Sequence, residues 1–135
     1  MKIEDYTLLT LDFETYYGRG YSLGRSDTNT IDYITDDKFK IHCVGVKVDD
    51  DDVEIFREDE MAEFEQFLLD LTRSGEPIAL VCHNTAFDGI ILHHHFNWHP
   101  DYYVDTMSMS KGMFVGASAS LKALSKRLWS AASGK

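Results

Sequence analysis

Tyr6–Phe13 (YTLLTLDF) is apolar and β-prone almost throughout, which predicts a central strand covered on both faces. The stretch 15–29, rich in Gly, Tyr, Ser and Arg, reads as a long loop leading into a short helix at Thr30–Ile34. Ile41–Val48 (IHCVGVKV) and Val53–Phe56 read as two further strands, joined as a hairpin through a run of aspartates. The period then changes. Met61, Phe64, Phe67, Leu68 and Leu71 recur at three- and four-residue spacing, so Asp59–Arg73 is an amphipathic helix that stops at Ser74–Gly75. Ile78–Cys82 is a short buried strand, and Thr85–Phe96 a helix that Asn84 or Thr85 can cap. Tyr102–Val104 is a fifth strand, and Leu121, Leu124 and Leu128 line the core-facing side of a last helix. Three early strands in succession predict an antiparallel meander, and two later strands reached through helices predict parallel additions to it, giving a mixed α/β sheet with flanking helices.

Within this layout, Asp12 and Glu14 lie two apart at the end of the first strand, so alternation puts both carboxylates on one face of the sheet. Like charges at that distance call for a neutralising cation, and hard divalent ions such as Mg²⁺ or Mn²⁺ prefer oxygen-only surroundings. The other reading of D-x-E is an ordinary solvent-facing strand end. The second piece is His83-Asn84-Thr85-Ala86-Phe87-Asp88, where the fourth strand turns into a helix and Asp88 falls on the first helical turn. If the fourth strand lies beside the first, that turn sits over the end of strand one, within reach of a cation held by Asp12. The alternative is a capping Asn followed by an Asp that suits the helix dipole.

Together, LDFET and HNTAFD resemble the first two motifs of the DEDD (DnaQ-like) 3′–5′ exonuclease superfamily, and most closely the N-terminal proofreading domains of phage-type family A DNA polymerases. The resemblance extends through the Tyr- and Gly-rich segment after Glu14, the Val104–Met107 stretch and Ser120–Leu124, covering the chain to about Leu128. It implies a ribonuclease H-like fold over residues 1–129, truncated at the C-terminal side, with a short polar tail at 130–135. It further implies two-metal hydrolysis of DNA phosphodiester bonds at single-stranded 3′ ends, with two Mg²⁺ or Mn²⁺ ions. Asp12 would bridge the ions, Glu14 would help hold the one that activates water, and Asp88 would support the second. Thr15, Asn84 and Phe87 would grip the terminal nucleotide. The implied partners are a DNA polymerase domain or a complementing C-terminal polypeptide, and the implied location is the cytoplasm of a bacterial or phage-infected cell.

The superfamily also uses a fourth carboxylate, an aspartate on the last helix with a Tyr or His four or five residues before it. This sequence has no Asp or Glu after Asp105. Asp105 follows Asp88 by only 17 residues and has no Tyr or His at the required spacing. Three explanations fit: a truncated or split gene, a piece of a polymerase, or a shortened relative that binds single-stranded nucleic acid or a polymerase without cutting. The isolated chain is accordingly expected to be weakly active or inactive.

Composition adjusts this picture in two ways. A chain of 135 residues suits one domain, and no apolar run approaches the ~20 residues of a spanning helix, so no membrane partner is expected. The net charge of −10 argues against a general nucleic-acid binder, but its distribution is uneven. All 23 acidic residues lie at or before Asp105 with 8 of the 13 basic ones, so residues 1–105 carry −15 and residues 106–135 carry +5. Asp49–Glu60 alone holds eight acids and one arginine, as a solvated turn would. Lys122, Lys126 and Arg127 form a basic face, either solvated or set against a DNA backbone. Cys43 and Cys82 lack a CxxC partner and read as strand core residues without a disulfide. His93, His94 and His95 point about 100° apart along a helix, and Asn97–Pro100 ends that helix before a 95/99 pair can form, so surface histidines are favoured over a zinc site.

Overall fold

The computed structural model describes residues 2–24 and 28–133, with side chains through Ser130. Five strands, β1 (Thr7–Thr15), β2 (Ile41–Val48), β3 (Glu54–Arg57), β4 (Ile78–Cys82) and β5 (Tyr102–Asp105), form one sheet in the order β3-β2-β1-β4-β5. The β1–β2 and β2–β3 pairs are antiparallel, and β1–β4 and β4–β5 are parallel. Among the described residues, five α-helices accompany them: α1 (Thr30–Thr35), α2 (Met61–Arg73), α3 (Thr85–Phe96), and, after the last strand, α4 (Thr106–Met113) and α5 (Leu121–Ser133). This is the α/β, ribonuclease H-like mixed sheet that the chain order predicts. Among the described residues, no helix is long and apolar enough to cross a membrane.

The core lies on one face of the sheet. Leu9, Leu11 and Phe13 of β1 pack with Val44 and Val46 of β2, Leu80 and Cys82 of β4, Phe64 and Leu68 of α2, and Ile91 and Leu92 of α3. Phe64 is completely buried, with the Phe96 ring edge-on at 5.0 Å and Phe13 at 5.8 Å. The expectation that β1 is covered on both faces is corrected here. Its burial alternates strictly from Leu9 to Glu14, and Thr10, Asp12 and Glu14 are exposed on the far face. A strand whose second face carries two carboxylates cannot bury it without large desolvation costs. Cys43 also belongs to that far face, paired with Glu14, while Cys82 lies in the core; both thiols are free.

The C-terminal part departs furthest from the sequence pattern. Helix α4 has no apolar period to announce it and is started by Asp105, whose side chain caps it by accepting from the Met107 N–H. Helix α5 continues to Ser133, through part of the small polar segment. Of its leucines only Leu124 is buried; Leu121 and Leu128 are about half exposed, and Trp129 is exposed. Arg127 is held back from the basic face: it donates to the Ser118 carbonyl at 2.5 Å and lies over the Phe114 ring, leaving Lys122 and Lys126 in solvent. In the acidic turn, Asp49 adopts a left-handed backbone (φ 48°), and its carboxylate accepts from Leu8 N–H, tying the turn to β1.

Candidate functional site

The parallel pairing of β1 with β4 brings the carboxylate motifs together. Registers Leu9–Leu80 and Thr10–Val81 place the end of β4, and the first turn of α3 that follows it, beside the end of β1. Asp88, on that turn, is 2% exposed, and its Oδ1 accepts from the Phe13 N–H at 3.2 Å, across 75 residues of sequence. Phe13 stands between Asp12 and Glu14, so Asp88 is bonded to the backbone at the centre of the D-x-E motif.

Electrostatics at this junction follow from burial. Burial first, and the nearby Asp12 charge after it, push the Asp88 carboxyl up to about 7 against the opposing bonds from Phe13 N–H and the Cys82 thiol. Asp12 is exposed as a residue, yet enough protein surrounds its carboxyl to raise it above the ordinary carboxylate range, partly offset by the neighbouring His83. The Cys82 thiol is raised as well, by burial and then by the charges of Asp88, Asp12 and Asp105. Glu14 shares the open face with Asp12, opposite Cys43, with a register shift between Glu14 and Thr15. Among the described residues, no three His, Cys, Asp or Glu side chains converge on a point that could hold a metal ion.

Thr15 and Phe87 meet through Tyr33 of α1, a residue the sequence did not single out. The Tyr33 hydroxyl donates to the Tyr16 carbonyl at 2.6 Å, so at 2.9 Å the Thr15 hydroxyl is the donor to Tyr33. The Phe87 ring lies 6.2 Å from that of Tyr33, which stacks on Tyr21 at 4.7 Å. No spacing rule connects position 33 to positions 15 and 87; only the packing of α1 against α3 does.

Asn84 does not cap α3 with its side chain. It adopts a left-handed backbone (φ 79°, ψ 73°), and its N–H donates to Asp105 Oδ1 at 2.9 Å. Asp105 is therefore occupied with structural bonds. Burial opposes its charge, but donors from Asn84, Ser108 and Met107 outweigh that and hold the carboxyl below its ordinary value. Asn84→Ala is expected to cost about 1–2 kcal/mol, because a Cβ without local hydrogen bonding disfavours this region, whereas Asn84→Gly is expected to cost nothing measurable. Urea unfolding of the two variants checks this; equal losses would show that the Asn side chain, not the backbone, matters.

His83 is the other residue that sequence reasoning passed over. Its Nε2–H donates to the Ala119 carbonyl at 2.6 Å, and its Nδ1 lies 2.9 Å from Thr106 Oγ1. The ring thus links the end of β4 to the start of α4 and to the segment entering α5, beside Asp12.

No protein-family model matches the chain, and no curated protein matches it. Among solved structures, one similar chain is a family B DNA polymerase from the hyperthermophilic archaeon Pyrobaculum calidifontis. The TM-score is 0.41 at 18% identity over 65% of this chain. The chain spans about a tenth of that polymerase, 10% of its length.

Proposed function

We propose that this chain is a 3′–5′ exonuclease-type domain for single-stranded DNA ends, incomplete as a catalyst on its own. The observation supporting this reading is the Asp88–Phe13 bond, which joins the HNTAFD turn to the middle of the LDFET strand. Two short motifs that each have an ordinary explanation meet at the end of the central strands of a ribonuclease H-like sheet. They do so around Asp12, Glu14 and Asp88, the carboxylates that the superfamily resemblance selects.

The donor chemistry of Asp12 and Glu14 suits a hard cation, being oxygen-only and on an exposed sheet face, while Asp88 is buried, and no three side chains among the described residues converge. Asp12 and Glu14 therefore fit one hydrated Mg²⁺ or Mn²⁺ ion, with Asp88 behind them, and the set does not fit a two-ion centre. When bound, such an ion supplies charge neutralisation at the scissile phosphate and a more acidic water. The protein's own part is to position the strand end. Thr15 and Phe87, gathered on Tyr33, would form the platform for the terminal nucleotide, with Asn84 at the turn above it.

A second reading, a non-catalytic module that binds single-stranded nucleic acid or a polymerase partner, is favoured by Asp105, whose carboxylate is committed to capping. Calorimetric titration with Mn²⁺ separates the two. One weak site per chain, lost in Asp12→Asn, is expected. No binding at all would leave only the non-catalytic module, and two coupled sites would mean a complete centre.

A further inference from the structure

The far end of α3 carries a feature unrelated to the carboxylates. His93 Nδ1 and His99 Nε2 lie 2.6 Å apart, with ring centroids at 4.7 Å, and both residues are exposed. The pair spans the helix end, six residues apart, which helical spacing alone does not produce. It exists because the chain leaves α3 by a fixed path. Asn97 takes the left-handed conformation (φ 49°, ψ 45°) and donates to the His93 carbonyl, and Trp98 N–H returns to the Leu92 carbonyl. Trp98 is 8% exposed, with its indole N–H donating to Thr72 Oγ1 at 2.8 Å. Two residues beyond His99, Asp101 exchanges two backbone-directed bonds with Ile78, at 2.8 and 2.9 Å. His99 is thus held between two anchored neighbours, and His93 sits on a helix packed into the core.

The geometry points to a two-histidine site for a borderline transition-metal dication, of the Zn²⁺, Co²⁺ or Ni²⁺ class, at His93 and His99. Imidazole nitrogens suit these ions, and rigid backbones under both ligands lower the ordering cost. Two Zn–N bonds of about 2.0–2.1 Å at a tetrahedral angle hold the nitrogens roughly 3.3 Å apart. The side chains need to part by less than about 1 Å, which exposed rings accomplish by small rotations. Water completes the coordination, since no third ligand among the described residues converges here. His94 and His95 take no part: His95 Nε2 is bonded to the Ile34 carbonyl and its ring is stacked on Phe39. A bound ion would tie the end of α3, whose first turn carries Asp88, to the segment that enters β5.

The test is calorimetric titration of Zn²⁺ into the untagged chain and its variants. In the Asp12→Asn background, which removes any ion at the carboxylates, one Zn²⁺ per chain is expected, weakened at least tenfold on adding His93→Gln or His99→Gln and unchanged on adding His94→Gln. The Asp12→Asn background keeps this site distinct from any ion at the carboxylates. In that background, zinc binding that survives His93→Gln with His99→Gln, or the absence of any zinc binding with both histidines present, overturns the proposal. Should either glutamine variant fail to fold, proton NMR of the wild-type chain decides. Zn²⁺ should shift the His93 and His99 ring resonances and leave that of His94 in place; no shift at His93 and His99 overturns it.

Discussion

Raising the pH from 4 to 7 is expected to destabilise the wild-type chain relative to Asp88→Asn by about 3 kcal/mol. The folded Asp88 carboxyl is raised to about 7 from an ordinary 3.8, first by burial and then by Asp12. Between those two values the unfolded chain has lost the proton and the folded chain keeps it. The folded state binds more protons there, so unfolding free energy falls as pH rises, and levels off above about 7. A pH step of one well inside that interval is worth about 1.4 kcal/mol, and steps close to either pKa are worth less, which sets the size of the effect. Asparagine retains an oxygen that can accept the Phe13 N–H, so the substitution removes the ionisation while keeping the bond. Urea unfolding of both proteins at half-unit pH steps measures the difference directly, since every other titrating group is common to the pair. A gap that stays constant across pH 4 to 7 would show that Asp88 is ionised in the folded state throughout. A cation bound beside Asp12 works in the opposite direction, favouring the Asp88 carboxylate, and added Mn²⁺ should shrink the gap near neutral pH.

The parts of this fold legible in sequence are those where one local pattern decides the outcome. Strands Ile41–Val48 and Ile78–Cys82 and helix Thr85–Phe96 lie where the apolar runs and the flanking turn residues place them. The clearest boundaries are residues that favour a stop, such as Gly75 before β4 and Asn97 after α3, both in the left-handed region. The open face of β1 was hidden because Leu8 and the core-facing Leu9, Leu11 and Phe13 together read as one continuous apolar run, masking the alternation that Thr10 and Asp12 carry. Helix α4 was hidden because its sequence, TMSMSKGM, has no periodic apolar face; a cap and contact with β4 form it instead.

The candidate site divides in the same way. The positions of Asp12, Glu14 and Asp88 followed from side-chain alternation and from a strand-to-helix junction, which are local rules. The state of Asp88 did not, because its burial depends on Phe13 of β1 and Cys82 of β4 meeting it on the first turn of α3. Tyr33 and His83 escaped for the same reason: each works by bridging segments that only the folded chain brings together, α1 with Thr15 and Phe87, and β4 with α4 and the entry to α5. The pairing of His93 with His99 rests on the left-handed turn at Asn97, which redirects the chain after the helical rule stops applying.

Incubated with 5′-labelled single-stranded DNA and Mn²⁺, the isolated chain is expected to leave the DNA essentially intact. Phosphodiester hydrolysis of the proposed kind depends on fixed positive charge on both sides of the phosphate, so it depends on how many carboxylates hold that charge in place. No Asp or Glu follows Asp105 in the sequence, and Asp105 itself accepts bonds from Asn84, Met107 and Ser108. Releasing it toward a cation would uncap α4 and free the Asn84 turn, so it is poorly placed to serve as a fourth ligand. Losing one preorganised charge-stabilising group commonly costs on the order of 10²–10³ in rate, which takes slow Mn²⁺-supported hydrolysis toward the background of a gel assay. Efficient degradation from the 3′ end that vanishes in Asp12→Ala would overturn this, and would mean that three carboxylates suffice. Residual cleavage unchanged by Asp12→Ala has no connection to the site and belongs to a contaminating nuclease, so the comparison of the two proteins, rather than cleavage by either alone, decides the matter.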